Sequence, residues 1–308
     1  MLVKFKSHSL RKALSMLVLV GGIAFQIVSN SAFSEEKALN QNQFITQVFG
    51  SGKPVMLIPG LMSDGSVWQQ LVSALSNKYQ VHTVSVVGFA GTPSIDNPSM
   101  DELKQQLIDY IEVNNLQKPA VIGHSLGGFL GFWLAASHPS KIGPVISVDG
   151  LPFVGPVFTG SNASTVESMA AQAQQMKTMY SRMSQQQLVE QAKYGLSIQA
   201  SSDAAKAKVM SMVQTSDVNT VGQAIYHLMS HDLRADIAKI KSPVLLLGAS
   251  GGFSTDTQKS AMQQLYKQQL AALPKAQLIM NTQSRHFIMF DDPLWLNQQV
   301  TSFLSENL

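Results

Sequence analysis

The sequence predicts an α/β fold: a mostly parallel central sheet flanked by helices and interrupted by a helical insertion. Three observations carry that prediction. Short apolar runs alternate with longer stretches of helical spacing, as βα units require. The central runs are continuously apolar, which marks strands buried on both faces. Between Leu151 and about Asp236 the alternation stops, and no convincing strand occurs there.

Each element follows from its residues. Glu35 to Asn42 is polar and reads as a lead-in. Gln43 to Phe49 alternates polar and apolar residues, the pattern of a half-buried edge strand, and Gly50-Ser51-Gly52 turns the chain. Pro54 to Ile58, PVMLI, is a central parallel strand that stops at Pro59-Gly60. Leu61 to Gly65 forms a loop before a helix over about 67–77, and Tyr79 to Val87 is the next strand. Ser99 and Glu102 stand at capping-box spacing and open a helix to about Asn114. Pro119 to Ile122 is a strand, and an apolar helical run reaches Ala136 and ends near His138-Pro139. Val145 to Val148 is a strand closed by Asp149-Gly150. The insertion shows helical spacing over 166–183 and 204–229. Strands then return at Pro243 to Leu247 and Ala276 to Met280, with helices over about 257–273 and 293–304. The expected organisation is a core of residues 35–150 and 237–308, with a helical cap over 151–236.

The amino terminus reads as a secretory signal. Basic residues Lys4, Lys6, Arg11 and Lys12 precede an apolar run from Ala13 to Val28. Ala32 and Ser34 then place small residues before a cut, which makes Glu35 the expected mature start. That run is short for a spanning helix, so no stable membrane span is expected after cleavage, and the expected location is periplasmic or secreted, with an uncleaved amino-terminal anchor as the alternative. The formal charge is +3, but beyond residue 34 there are 18 bases against 19 acids. The basic balance therefore belongs to the leader and gives no support for a nucleic-acid partner. The chain has no cysteine, which excludes disulfides and thiolate metal sites.

One stretch organises the rest. In VIGHSLGGFLG, residues 121–131, a buried strand ends at Gly123-His124-Ser125-Leu126-Gly127 and a helix follows at once. A sharp strand–turn–helix strains the serine backbone, so its neighbours two residues either side must be small. Gly123 and Gly127 meet that demand, and Gly128 lets the helix start close to the sheet. The turn lifts the Ser125 hydroxyl out of the sheet, with the helix dipole aimed at the same spot.

GHSLGG between a strand and a helix resembles the α/β-hydrolase superfamily, in its branch of serine esterases with a helical cap. The resemblance runs from about Phe44 to Leu308 and is weakest in the middle third. It implies a nucleophile, an acid and a histidine, in that order along the chain. The histidine follows the last strand, which points to His286 as the base. His138 reads as a helix-end residue, and His124 as a structural residue packed against the strand beyond the turn. His227 and His231, one helical turn apart, could hold zinc, but no third ligand is expected nearby, so no metal is expected.

The acid is less direct. The family usually carries it after the next-to-last strand, where this chain has Gly251. Asp149, at the end of the strand before the insertion, is the first choice, because a strand end is rigid. Asp256, further along the Gly251 loop, is the second. Asp232, Asp291 and Asp292 read as caps or surface turns. The oxyanion donors are expected to be the backbone N–H groups of Leu126 and Leu61. The family usually has His-Gly where this chain has Pro59-Gly60.

The expected activity is hydrolysis of small to medium apolar carboxylic esters, without a cofactor, through an acyl-serine, with water as second substrate. Lactone or thioester hydrolysis would use the same residues. A binding protein with a degenerate triad is the alternative of another class, and Gly251 is the residue that favours it. Phe89, Phe129, Phe153 and Phe158 could wall the site. The methionines at 169, 176, 179, 183, 210, 212 and 229 read mainly as helix packing.

Overall fold

The computed structural model describes residues 42–308, so the signal expected over 1–34 lies outside the described residues. The apolar runs become the strands of one sheet. These are β1 (Phe44–Phe49), β2 (Lys53–Ile58), β3 (Tyr79–Val86), β4 (Ala120–His124), β5 (Val145–Val148), β6 (Val244–Ala249) and β7 (Gln277–Asn281). Their order across the sheet is β1-β3-β2-β4-β5-β6-β7. Only β1 runs antiparallel, pairing Phe44 with Val86 and Phe49 with Val81. The other pairs are parallel, with Val55 opposite Ala120, Val121 opposite Val145 and Val148 opposite Leu247. β4, β5 and β6 are buried along their whole length, and all but His124 of β4 and Ser147 of β5 are apolar or glycine, as burial on both faces favours.

The core helices are α1 (Gln69–Leu75), α2 (Met100–Val113), α3 (Leu126–Ser137), α9 (Asp256–Gln269), α10 (Ile288–Asp291) and α11 (Pro293–Asn307). The segment between β5 and β6 supplies α4 (Gly155–Thr159), α5 (Val166–Arg182), α6 (Gln185–Gln199), α7 (Asp203–Gln214) and α8 (Val218–Ser230). Three details differ from the sequence reading. The helical pattern expected over 204–229 is two helices, because Asp217 caps a new one by accepting from Thr220 N–H. α6 was not expected; it buries only Leu188 and so lacks a strong apolar stripe. At the start of α2, Ser99 caps Glu102 N–H, but its own N–H donates to Gln43, so the expected capping box is shared with β1's lead-in.

The insertion is fastened at its base and at its tip. At the base, Arg234 bridges the Asp232 carboxylate and the carbonyls of Asn162 and Ser164, each at 2.6 Å for the carbonyls. At the far end, Phe287 N–H donates to the Gln199 carbonyl at 2.8 Å, and Arg285 Nη1 to the Ala200 carbonyl at 2.8 Å. Ser201 N–H donates to Asp291 at 2.9 Å. Among the described residues, no helix is long and apolar enough to cross a membrane.

Candidate active site

The carboxyl ends of neighbouring parallel strands are where an open α/β sheet presents a site. Ser125 directly follows β4, and its backbone is held at φ 51°, ψ −113°. Positive φ is costly for a residue with a Cβ and persists only where the surroundings enforce it. Here a Cβ on Gly123 would overlap the Gly127 carbonyl, and one on Gly127 would overlap the Ile58 carbonyl. A Cβ on Gly128 would meet Ser147, so Gly128 lets α3 approach β5. Ser125 N–H donates to the Val148 carbonyl at 3.0 Å, which holds the turn onto β5. The serine is half-buried at the surface of this turn.

The residue after β5, Asp149, likewise has a positive φ, 52°. Its N–H continues the ladder by donating to the Leu247 carbonyl at 2.7 Å. Its carboxylate replaces the next rung: Oδ1 accepts from Ala249 N–H at 2.7 Å and from Tyr266 O–H at 2.8 Å. Oδ2 accepts from His286 Nδ1 at 2.6 Å. Asp149 and His286 are therefore brought together, with a proton on Nδ1 and the Nε2 lone pair left over. A carboxylate with three donors is fixed in orientation, which is what an imidazole needs to hold one tautomer. Tyr266 stays protonated, because burial first and then the charge of Asp149 push its pKa well above 10. Tyr266 was not singled out in the sequence; on α9 its position looks like ordinary apolar spacing.

Asp256 is placed elsewhere. It is exposed in the first turn of α9, and its bonds do not include His286. The reason also explains Gly251. Gly251 N–H donates to the Ser284 carbonyl at 2.8 Å, and a Cβ there would overlap the backbone of Gln283. The loop after β6 is pressed onto the loop that carries His286, so no side chain fits at 251. Gly251→Asp, which restores the usual family acid position, is therefore expected to lower stability by about 1–3 kcal/mol through overpacking. A urea midpoint unchanged from wild type would contradict this.

Leu61 and Leu126 flank the serine. Leu126 N–H is first in α3, so it has no intrahelical acceptor. Leu61 follows Gly60, whose hypothetical Cβ would lie 3.2 Å from the Ser125 Cβ, so the backbone runs close past the nucleophile. Among the described residues, no hydrogen bond occupies the Leu61 N–H.

His124 is structural. Its ring lies against Gly60, just past the end of β2, and packs on His286 and Phe287, at 4.6 Å between centroids in each case. Its Nε2 donates to the His286 carbonyl at 3.1 Å, so it tethers the loop of the candidate base. Burial, and then repulsion from His286, hold its pKa well below the ordinary value despite that bond. His227 is likewise pushed down to about 3, first by burial and then by His231 and Lys104. Both titrate lower when folded than when unfolded. Below pH ~6.5 the unfolded chain then binds more protons, so stability is full above that pH and falls as pH drops. The expected slope is up to about 1.4 kcal/mol per pH unit for each histidine. Urea melts at pH 7, 6 and 5 would show it, and a flat profile would contradict it.

The remaining candidates sort by burial. Phe89, Phe129 and Phe153 are within the core, while Phe158 is 50% exposed. Met169, Met212 and Met229 are buried, and Met176, Met179 and Met183 pack against the core. His138 ends α3, and Asp292 caps α11 by accepting from Trp295 N–H at 3.2 Å. Asp232 holds Arg234, and Asp291 accepts from Arg285 N–H at 2.8 Å to brace the His286 loop. The expectation that His227 and His231 lack a third ligand is corrected: Asp101 of α2 comes within reach of both.

Comparison with known proteins extends this picture. Pimeloyl-[acyl-carrier protein] methyl ester esterase from Aliivibrio salmonicida is 32% identical over 106 residues, 34% of this chain and 39% of the relative. The same enzyme from Vibrio cholerae is 30% identical over 106 residues, 34% of this chain and 40% of the relative. The matches thus span about two fifths of these relatives' length. The enol-lactonase from Burkholderia xenovorans LB400 superposes with a TM-score of 0.67 at 18% identity, covering 85% of this chain and 96% of the other. A hydrolase from Pseudomonas aeruginosa PA01 gives 0.70 at 19% identity, covering 85% and 94%. These two likenesses show a shared fold. The alpha/beta hydrolase fold family matches residues 53–293, most of the chain, and this protein belongs to that family.

Proposed function

We propose that this chain is a serine hydrolase acting on carboxylic esters, with Ser125 as nucleophile, His286 as base and Asp149 as orienting acid. The observation that carries the reading is the 2.6 Å bond from His286 to Asp149 at the end of β5, the strand paired with β4, whose turn holds Ser125 at φ 51°. A serine hydroxyl is a weak nucleophile until a base takes its proton. In the proposed cycle His286 Nε2 accepts that proton as Oγ attacks the ester carbonyl. The carbonyl oxygen becomes negative and is held by Leu61 and Leu126 N–H. Collapse of the tetrahedral intermediate expels the alcohol, which takes its proton from His286. Water then attacks the acyl-serine, giving up a proton to His286, and as the acyl–Oγ bond breaks His286 returns that proton to Ser125 Oγ and the carboxylic acid leaves.

The methyl ester esterases among the relatives support an ester with a small alcohol. Lactone hydrolysis needs the same residues, and one structural neighbour is an enol-lactonase. The binding-protein reading rested on Gly251; with Asp149 bonded to His286, that residue lends it no support. A panel of p-nitrophenyl esters of graded acyl length, assayed beside lactones, tests the reading. Turnover of short to medium esters above that of lactones is expected. Turnover of lactones alone would redirect the substrate class, and turnover of neither would contradict hydrolysis.

We also infer that the chain is exported, on the strength of its basic-then-apolar first 34 residues. Amino-terminal sequencing of the mature protein is expected to begin at Glu35.

A further inference from the structure

A second cluster of chemistry lies where α8 of the insertion meets α2 of the core. His227 and His231 share one face of α8's end, and their rings stack at 3.6 Å between centroids, 16° from parallel. Asp101, in the first turn of α2, faces them. One ligand atom from each of the three lies within 4.8 Å of the others. None of the three serves the proposed hydrolytic cycle.

The histidines are prepared as ligands in two ways. His231 Nδ1 donates to the His227 carbonyl at 2.9 Å, which places its proton there and leaves Nε2 with a free lone pair. A backbone carbonyl holding one ring nitrogen is the usual support of a metal-binding imidazole. His227 is only 6% exposed, and its Nε2 has no hydrogen-bond partner among the described residues. A buried polar atom left unpaired is costly, and close packing of the two rings on Trp133, at 4.7 and 5.5 Å, does not satisfy it.

We propose that Asp101, His227 and His231 form a binding site for a divalent metal of the zinc class. Two imidazole nitrogens and one carboxylate oxygen suit zinc, with water completing four-coordination. Zinc ligands at ~2.0–2.1 Å bonds sit about 3.3 Å apart, so the site must close by rotation. The exposed Asp101 side chain supplies that freedom and the entry path. Bound metal ties α8 to α2, and so the insertion to the core. One group opposes it. Lys104, one turn beyond Asp101, places its ammonium 4.0 Å over the Trp133 ring. Its charge repels a cation, so the site is of moderate affinity as it stands.

The test uses the full chain, freed of metal by chelation. Titration with Co2+, read by its visible d–d absorption, and with Zn2+, read by calorimetry, is expected to saturate at one ion and to raise Tm. His231→Gln and Asp101→Asn are each expected to weaken binding by about 10–100-fold. Lys104→Met is expected to strengthen it by about tenfold, the reverse of what loss of a packing side chain would do. Metal-free melting of each variant checks that it folds; His227 is left unaltered because it is buried. No saturable binding by the wild-type chain overturns the proposal. So does binding of equal strength in either the His231 or the Asp101 variant, which would mean an adventitious ion only.

Discussion

Replacing Ser125 with alanine is expected to lower ester turnover by about 10⁶-fold, the scale seen when a serine hydrolase loses its nucleophile. The size follows from the chemistry. Without Oγ no acyl intermediate forms, and His286 has no bound proton to take. What remains is whatever Leu61, Leu126 and substrate binding contribute to attack by water. Ser125→Ala should also leave the fold intact, and it relieves no strain, because alanine keeps the Cβ that opposes φ 51°. The double variant Ser125→Ala with His286→Ala should be no worse than either alone, since the pair acts as a unit. Steady-state kinetics on the best p-nitrophenyl ester measure all three. Loss of only a few-fold in Ser125→Ala would place the chemistry elsewhere.

Asp149→Asn is the second large effect, expected at about 10⁴-fold in turnover with little change in KM. The amide is nearly isosteric, but it presents an N–H where His286 Nδ1 now donates, at 2.6 Å. To keep a bond, the imidazole must move its proton to Nε2, where it can no longer accept from the serine. The effect is therefore on the tautomer, which geometry alone would not reveal. Ala249 N–H and Tyr266 O–H still need an acceptor, and the side-chain amide oxygen provides one. Asp256→Asn is expected to stay within a few-fold of wild type, because that carboxylate is exposed on α9. Reversed outcomes for the two variants would make Asp256 the acid and require a different conformation of the loop after β6.

Why some of this was legible in the sequence, and some was not, has physical causes. The strands were readable because parallel strands buried on both faces are mainly apolar, as PVMLI shows, and the one polar residue of VISV, Ser147, is satisfied by the Gly150 carbonyl. The elbow was readable because backbone carbonyls of Gly127 and Ile58 fill the space that side chains at 123 and 127 would occupy. Asp149 could be ranked first from the rigidity of a strand end, yet its three donors could not be foreseen. They come from β6, α9 and the loop after β7, all brought together only by the parallel order of the sheet. Tyr266 was invisible for the same reason. α6 was missed because its buried surface is small; its C-terminal end is held by hydrogen bonds to the His286 loop, which carry no sequence periodicity. Asp101 was missed as a neighbour of the histidine pair because contact between α2 and α8 depends on how the insertion folds back. His124 was legible as a structural residue, but its contacts with the His286 loop come from the far end of the chain and could not be read from its neighbours in sequence.

The most direct measurement is labelling with a fluorophosphonate, followed by mass spectrometry of the peptide that carries residue 125. An activated hydroxyl should react rapidly, to one adduct per chain, with the adduct on Ser125 and with the reaction lost in His286→Ala. A chain that takes no label, or takes it at another residue, would contradict the account.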